Sequence, residues 1–183
     1  MTLIVRKEKM SKKIDLKSFI REIPDRPKKG ILFRDITPLL ADSRAFEAAV
    51  DELSKDFEDT GIEYVGAVEA RGFIFGGAVA RRLKAGFVPI RKKGKLPYKT
   101  ESITYELEYG KDTLEIHVDT FSKGSKVLMV DDLLATGGTM AAACELVEKA
   151  GGSIEAIAFL VELSELGGRK QLGGYKVKTV LSY

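Results

Sequence analysis

The segment VLMVDDLLATGGT, residues 127–139, decides the interpretation of this 183-residue chain. Four apolar residues are followed by two acids, Asp131 and Asp132, and small residues then lead into an apolar stretch with helical periodicity. This order predicts a buried strand, a tight loop and a helix N-terminus. In open parallel sheets, ligands bind outside the carboxyl ends of the strands. The segment therefore predicts a ligand site in an α/β fold.

The loop composition indicates what kind of ligand binds there. Alanine, threonine and glycine at residues 135–139 let backbone N–H groups approach a phosphate, and the helix N-terminus adds about half a positive charge. Two carboxylates beside a phosphate site are explained if they accept hydrogen bonds from a vicinal diol, so we expect a sugar phosphate. Neither GxxxxGK[ST] nor GxGxxG occurs in the chain, which excludes a Walker A loop and the dinucleotide motif.

Strand-like and helix-like segments alternate from residue 64 onward. We predict strands at residues 64–68, 86–90, 127–130, 154–161 and 177–181, helices at 43–59, 71–84 and 139–150, and a hairpin of 104–108 with 113–118. Apolar spacing also predicts a helix over residues 13–23, ending before Pro24. This alternation is typical of an α/β fold, a parallel sheet covered on both faces, here with a small N-terminal subdomain.

The composition excludes several classes of site. One His and one Cys cannot form a zinc site of four such ligands or a disulfide within the chain. No apolar run reaches the roughly 18 residues that span a bilayer, so we expect a cytoplasmic protein with no membrane partner. Residues 91–99 hold five cations and no acid, whereas the net charge is only +3. One basic loop favours a small polyanion over nucleic acid, whose binding spreads cations over many phosphates.

Residues 127–139 resemble the phosphoribosyl pyrophosphate signature of the type I phosphoribosyltransferases, and the wider chain resembles the members of that family that use adenine. The matching segments are GILFRDITP at residues 30–38, EARGF at 69–73, RKKGKLP at 91–97, LEYG at 107–110 and VEL at 161–163. The likeness covers residues 14–183. It implies one domain over residues 1–183, with a twisted parallel sheet flanked by helices, an N-terminal hood at 14–40 and a mobile catalytic loop and hairpin at 91–118. Residues 1–13 are then a disordered or dispensable tail.

The resemblance implies transfer of the phosphoribosyl group from 5-phosphoribosyl 1-pyrophosphate to N9 of adenine, giving AMP and pyrophosphate. It also implies the residues that bind the sugar ligand: Asp131 and Asp132 near the ribose hydroxyls, and Ala135, Thr136, Gly137, Gly138 and Thr139 around the 5-phosphate. Those expected at the pyrophosphate are Glu69, Ala70 and Arg71, together with Arg91, Lys92 and Lys95. The cofactor is Mg²⁺, which we expect the ligand to hold rather than protein side chains, because Mg²⁺ binds phosphate oxygens and keeps several waters.

The resemblance further assigns the base site and the catalytic residues. Backbone groups around Phe33 and Arg34 pair with the adenine edge, and Leu32 and Leu163 cover its faces. Glu108 is expected to manage the proton released as N9 attacks, and Arg91 is the second catalytic residue. The family also implies a homodimer.

Two other functions stay open on the sequence. One is a phosphoribosyltransferase for xanthine or for hypoxanthine and guanine, because one residue at the base edge can change the preference. The other is a regulator that senses phosphoribosyl pyrophosphate without catalysis. Such regulators carry an added DNA-binding domain, and the basic N-terminal segment is too short for a helix-turn-helix.

Overall fold

The computed structural model of the chain describes residues 14–107 and 110–183. The contacts divide it into two compact units, with the boundary between Ala48 and Ala49. The predicted tail at residues 1–13 lies outside the described residues.

The N-terminal unit begins with a short turn and a two-stranded antiparallel sheet. A 3-10 turn (Leu16–Phe19) precedes strand β1 (Arg21–Ile23), which pairs with strand β2 (Phe33–Asp35). The helix predicted over residues 13–23 is therefore wrong. The Asp15 carboxylate accepts a hydrogen bond from Lys17 N at 3.1 Å and closes a single turn, and Ile20 is already extended. Pairing with β2 thus outweighs the helical spacing of the apolar residues.

Two helices follow β2. Helix α1 spans Thr37–Ala41 and helix α2 spans Ser43–Ser54. The Asp42 carboxylate caps α2, because it accepts hydrogen bonds from Arg44 N and Ala45 N at 3.0 and 2.9 Å. The helix is shorter than the predicted 43–59, since residues Lys55–Phe57 form a 3-10 turn.

The C-terminal unit is built on a seven-stranded sheet. Its strands are β3 (Tyr64–Val68), β4 (Gly86–Lys92), β5 (Thr100–Leu107), β6 (Gly110–His117), β7 (Ser125–Leu134), β8 (Gly152–Glu162) and β9 (Val177–Ser182). The order across the sheet is β5-β6-β4-β3-β7-β8-β9. Strands β4, β3, β7, β8 and β9 are mutually parallel, and the β5–β6 hairpin adds antiparallel strands beside β4. The predicted α/β class with its parallel sheet is confirmed.

Two helices cover opposite faces of this sheet. Helix α3 spans Gly72–Leu83 and helix α4 spans Gly138–Lys149. A side chain at Gly76 of α3 would meet Ala67 on one face of β3, whereas α4 shares a buried cluster with Val68 and Met129 on the other face. No helix in the described part of the chain is long and apolar enough to span a membrane.

Strand β7 extends further than the sequence predicts. It continues past Val130 to Leu134, and Asp131 pairs in register with Phe159 of β8. Both acids therefore lie on the strand itself, near its carboxyl end, rather than in the loop. In the hairpin, Leu107 pairs with Gly110, so Lys111 and Asp112 belong to β6, which begins before the predicted residue 113.

Candidate active site

A cavity of about 460 Å³ lies at the carboxyl ends of β3 and β7. It brings together two segments that are far apart in the chain, residues 68–72 and residues 131–137, with Thr139 and Met140 of α4 and Phe159 of β8. Nine of the predicted site residues line it: Glu69, Ala70, Arg71, Asp131, Asp132, Ala135, Thr136, Gly137 and Thr139. Gly138 begins α4 beside the cavity and is not among the lining residues.

The first backbone N–H groups of α4 lie at the cavity, which Gly137 and Thr139 line. Gly137 precedes α4 with a φ of 84°, and no side chain caps the helix. The first N–H groups of an uncapped helix lack intrahelical partners, so they are available to an anion. The hydroxyls of Thr139 and Tyr105 lie 3.3 Å apart and form a hydrogen bond, which ties the hairpin to this loop.

A turn after β8 supports the loop through two glycines. A Cβ at Gly168 would lie 2.3 Å from the carbonyl oxygen of Ala135, and a Cβ at Gly137 would lie 2.5 Å from the carbonyl oxygen of Gly168. The two backbones can approach this closely only because neither glycine has a side chain. The shape of the loop at residues 135–137 therefore depends on residues 167–168 as well as on its own sequence.

The two acids of β7 lie side by side, and the buried one, Asp132, pairs with one cation. Asp132 is 4% exposed, and its Oδ2 lies 2.8 Å from Nε of Arg71. Oδ1 of Asp131 accepts a hydrogen bond from Asp132 N at 2.8 Å. Gly72 allows this arrangement, because a Cβ there would lie 2.7 Å from Asp131 Oδ1. Arg71 thus connects the β3 side of the cavity to the β7 side.

Burial sets the protonation behaviour of this pair. Burial raises the pKa of the Asp131 carboxyl well above its ordinary value, and the adjacent charge of Asp132 raises it further. Burial also raises the pKa of Asp132, although Arg71 opposes the shift. Both acids bind protons more tightly in the folded state than in the unfolded chain. The contribution of these two acids to the stability of the fold therefore falls as the pH rises past the ordinary carboxyl range.

Replacing Asp131 with asparagine should stabilise the fold at about pH 7, because the amide keeps the acceptor for Asp132 N and removes a buried negative charge. We expect a gain of about 1 kcal/mol, equal to about 2–4 °C in melting temperature for a chain of this length. The gain should shrink near pH 4, where the acid is protonated. Calorimetry at both pH values measures it, with the exposed Asp119→Asn as control. A lower melting temperature at pH 7 would contradict the argument.

The basic residues at the end of β4 and just after it are held by two carboxylates. Oε1 of Glu69 accepts a hydrogen bond from Lys92 N at 2.7 Å, and Oε2 of Glu115 accepts one from Gly94 N at 2.9 Å. Oε2 of Glu69 also lies 3.2 Å from Arg91 Nη2 and 3.0 Å from Lys95 Nζ. The Lys92 ammonium pairs instead with Asp112 at 2.9 Å. The structure thus places Arg91 and Lys95 next to Glu69, while Lys92 reaches the site through its backbone.

A bidentate ion pair holds the turn that follows β8. Nε and Nη2 of Arg169 each lie 2.8 Å from a carboxylate oxygen of Glu162, and the same guanidinium donates to Val177 O and to the Thr179 hydroxyl at 3.1 and 2.9 Å. The hydrogen bonds from Arg169 lower the pKa of the Glu162 carboxyl below its ordinary value. The sequence analysis did not select this pair. The only signal was an acid in the VEL match with an arginine seven residues later.

Replacing Arg169 with methionine should destabilise the fold by about 2 kcal/mol at pH 7, because it leaves the Glu162 carboxylate buried without its partner. Since the folded-state pKa of Glu162 is lowered, the stabilisation is present above the ordinary carboxyl range and is lost as the pH falls. The cost should therefore be smaller near pH 4.

Arg82→Met is the matched control for that variant. Arg82 is as exposed as Arg169, but its partners Asp51 and Glu58 are exposed too. We expect it to cost less than about 1 kcal/mol. If urea unfolding gave the same loss in the free energy of unfolding for the two variants, the pair with Glu162 would stabilise the fold no more than an exposed ion pair does.

The remaining predicted residues are not among those that line this cavity. Leu163 follows β8, and its N–H donates to Leu134 O at 2.9 Å, which places it beside the end of β7. Leu32, Phe33 and Arg34 belong to the N-terminal unit, where Leu32 and Phe33 are exposed and Arg34 pairs with Glu22. Glu108 lies outside the described residues.

Comparison with known proteins gives consistent matches. The sequence model described as "Phosphoribosyl transferase domain" matches residues 39–180. The chain is 58% identical to the adenine phosphoribosyltransferase of Thermotoga neapolitana over 170 residues, 93% of this chain and all of the relative. It is 56% identical to that of Symbiobacterium thermophilum, with the same coverage.

Solved structures give the same picture. The crystal structure of adenine phosphoribosyltransferase from Thermoanaerobacter pseudethanolicus has a TM-score of 0.88 and 53% identity, covering 92% of this chain and 98% of that one. The Saccharomyces cerevisiae enzyme, solved with adenine and an imino-altritol bisphosphate, has a TM-score of 0.85 and 41% identity, with 90% and 96% coverage.

Proposed function

Because the chain belongs to the phosphoribosyl transferase domain family, and within it to the adenine phosphoribosyltransferases, we propose that it makes AMP in purine salvage. It transfers the phosphoribosyl group of 5-phosphoribosyl 1-pyrophosphate to N9 of adenine and releases pyrophosphate. The observation that carries this proposal is the single cavity in which the β7 acid pair, the uncapped N-terminus of α4 and Arg71 meet.

The 5-phosphate binds at the loop of residues 135–139. Backbone N–H groups at the start of α4 and the hydroxyls of Thr136 and Thr139 are donors of the right kind for phosphate oxygens. The contact between Gly137 and Gly168 fixes the loop before the ligand arrives. A loop formed in advance pays less ordering entropy on binding.

Asp131 and Asp132 serve the ribose. Their carboxylates accept hydrogen bonds from the vicinal hydroxyls, and their negative charge stabilises the oxocarbenium-like sugar that develops as the C1–pyrophosphate bond breaks. Both acids lie in the rigid last part of β7, paired to β8, so little reorganisation is needed at the transition state. Arg71, now paired with Asp132, lies where it can contact both the ribose site and the pyrophosphate.

The pyrophosphate binds between the end of β3 and the basic residues at the end of β4 and just after it. Arg71, Arg91 and Lys95 supply cationic side chains, and Glu69 and Ala70 supply backbone groups at the strand end. The Lys92 ammonium pairs with Asp112. Its charge therefore acts on the pyrophosphate without direct contact. Arg91 acts as the catalytic cation, because leaving-group charge develops on the pyrophosphate.

For adenine we keep the contacts that the family resemblance implies, which are Leu32, Phe33, Arg34 and Leu163. Backbone donors and acceptors near Phe33 and Arg34 form hydrogen bonds with the edge of the base that carries the 6-amino group. A base with a 6-oxo group would leave buried polar groups unpaired, so it would bind less well. The exposure of Leu32 and Phe33 supports a role in covering a flat apolar ring. These four residues remain the proposed base contacts.

Mg²⁺ fits this chain as a partner of the sugar ligand. No group of three or more His, Cys, Asp or Glu residues within 14–107 and 110–183 could hold a metal ion alone. We propose that phosphate oxygens and waters hold it, with Asp131 as an indirect contact. When bound, the ion neutralises charge on the pyrophosphate.

We further propose a homodimer located in the cytoplasm, with one phosphoribosyltransferase domain per chain. Two exposed apolar side chains support self-association: Ile74 of α3 and Phe87 of β4 are 40% and 38% exposed, and the Phe73 ring packs edge-to-face against Phe87. Light scattering coupled to size exclusion tests the dimer, and a monomer mass at micromolar concentration would contradict it.

Glu108→Ala should lower turnover about 10²-fold with less than about a threefold change in the KM for adenine, because the acid handles the N9 proton rather than holding the base. The matched control is Glu106→Ala, which removes an exposed acid from the same hairpin. Steady-state kinetics with adenine measure both. Unchanged turnover would remove Glu108 from the mechanism.

Turnover with a panel of bases tests the proposed function. Phosphoribosyl pyrophosphate, Mg²⁺ and adenine, hypoxanthine, guanine or xanthine are supplied separately, and the nucleotide product is identified. We expect AMP from adenine and no product from the oxopurines. Turnover of an oxopurine instead would contradict the base assignment, and binding of the sugar ligand without any turnover would favour a regulator.

A further inference from the structure

Glu69 is an acid at the place where a highly charged anion is proposed to bind. It directly follows β3, and its side chain is only 8% exposed. Both of its oxygens have partners: Oε1 accepts from Lys92 N, and Oε2 lies next to the Arg91 guanidinium and the Lys95 ammonium. The carboxylate therefore already contacts Arg91 and Lys95, two of the three cationic side chains proposed to bind pyrophosphate.

The pKa of the Glu69 carboxyl indicates that the group stays negatively charged. Burial by itself would raise the pKa of the Glu69 carboxyl, but the hydrogen bonds from Lys92 N, Lys95 and Arg91 outweigh it and lower the pKa below its ordinary value. At neutral pH the group is an anion in contact with two cations. A second anion can bind these cations fully only if the carboxylate gives them up.

Arg91 is only partly used by its present partners. Nη2 contacts Glu69 and Nη1 donates to Lys95 O at 3.1 Å, whereas the buried Nε has no hydrogen-bond partner among the described residues. A buried donor without a partner is costly. The guanidinium thus retains donor capacity toward a ligand that offers more oxygens than one carboxylate does.

We propose that Glu69 is an internal anion that competes with pyrophosphate for Arg91 and Lys95, and so limits how tightly pyrophosphate is held. This rests on the proposed function, which makes pyrophosphate the leaving group. When pyrophosphate departs, the carboxylate takes back the two cations, so they are not left unpaired in a partly buried site. Release of pyrophosphate becomes an exchange of one anion for another.

The alternative is that Glu69 has only a structural role, which is to hold the backbone at the end of β4 in place through Lys92 N. Glu69→Gln separates the two roles, because its amide oxygen still accepts from Lys92 N while the charge is gone. Other contacts keep this backbone in place in the variant: Gly94 N donates to Glu115 at 2.9 Å and Lys93 N donates to Thr113 O at 3.1 Å. A purely structural role predicts equal or weaker pyrophosphate binding, whereas competition predicts tighter binding.

Titration calorimetry with inorganic pyrophosphate, with and without Mg²⁺, is the test. The matched control is Glu63→Gln: Glu63 directly precedes β3 at the opposite end, and its carboxylate also accepts a backbone hydrogen bond, from Lys126 N at 2.8 Å. We expect Glu69→Gln to lower the Kd of pyrophosphate about tenfold and to strengthen product inhibition, because one competing charge is removed. The gain should shrink with added NaCl. Glu63→Gln should match the unchanged protein.

Each outcome decides between the claims. If the unchanged protein makes AMP and Glu69→Gln binds pyrophosphate no more tightly than Glu63→Gln does, the competition is excluded while the function stands. If the unchanged protein neither makes AMP nor binds pyrophosphate, the function and this inference both fail. Tighter binding confined to Glu69→Gln supports the inference.

Discussion

Asp132→Asn should lower kcat/KM for phosphoribosyl pyrophosphate by about 10²–10³-fold, the range found when one preorganised electrostatic group is lost from a catalytic site. The amide keeps the size of the side chain and removes the charge that favours the oxocarbenium-like sugar. Asp132 is 4% exposed near the end of β7, between Asp131 and Leu133, which both pair with β8, so its replacement does not open the core.

Stability should move in the opposite direction to activity. The pKa of Asp132 is raised by burial, which means that its charged form costs stability at neutral pH. Arg71 loses its partner in the variant but is about half exposed, so water can solvate it. We expect the melting temperature of Asp132→Asn to be equal or higher. Asp119→Asn, an exposed acid after β6, should change neither quantity. A clear drop in melting temperature with kcat/KM intact would mean that the acid is structural.

Gly168→Ala should abolish most of the activity although the residue touches no substrate atom in the proposed mechanism. Its Cβ would lie 2.3 Å from Ala135 O and 2.8 Å from Leu134 Cδ1, and the first of these atoms is backbone of the phosphate loop. Either the loop or the turn after β8 must shift. Overpacking of this kind costs about 1–3 kcal/mol, and we expect a 3–10 °C lower melting temperature.

The kinetic signature of Gly168→Ala distinguishes loop displacement from general destabilisation. A displaced 5-phosphate site should raise the KM for phosphoribosyl pyrophosphate about 100-fold at a temperature where the variant is fully folded, since a 1 Å misplacement can have that effect. Gly77→Ala is the control, because its Cβ would have nothing within 4 Å and alanine favours the helix α3. An unchanged KM in folded Gly168→Ala would contradict the role of this contact.

The parallel sheet and the ligand-binding edge were predictable from the sequence. Continuous apolar runs such as residues 127–130 predict buried parallel strands, and the residues after β3 and β7 lie at their carboxyl ends by topology alone. The family resemblance added the roles of these residues. The cavity confirms that residues 69–71 and 131–137 are neighbours.

The failures have a common physical cause, which is pairing that depends on distant residues. Apolar spacing over residues 13–23 favours a helix, but β1 forms because β2 offers backbone partners ten or more residues later. Strand β7 continues through its two acids because β8 pairs with it to Glu162. Local composition contains neither partner.

The contacts that stabilise the site and that the sequence did not predict are ion pairs and close contacts at glycines. Glu162 and Arg169 form a bidentate ion pair that no sequence motif predicts. Gly168 is important for the loop only because the backbone of Ala135 packs against it. Glu69 was expected at the pyrophosphate through a match to EARGF. Its contacts with Arg91 and Lys95 became apparent only from the geometry.

The most direct test of the central claim is the stoichiometry of the reaction, followed by phosphorus NMR with phosphoribosyl pyrophosphate, Mg²⁺ and adenine. The account predicts that AMP and pyrophosphate appear together in equal amounts, and that neither forms when adenine is left out. Pyrophosphate release without AMP would show hydrolysis rather than transfer. No change in the phosphorus spectrum would contradict the proposed reaction altogether.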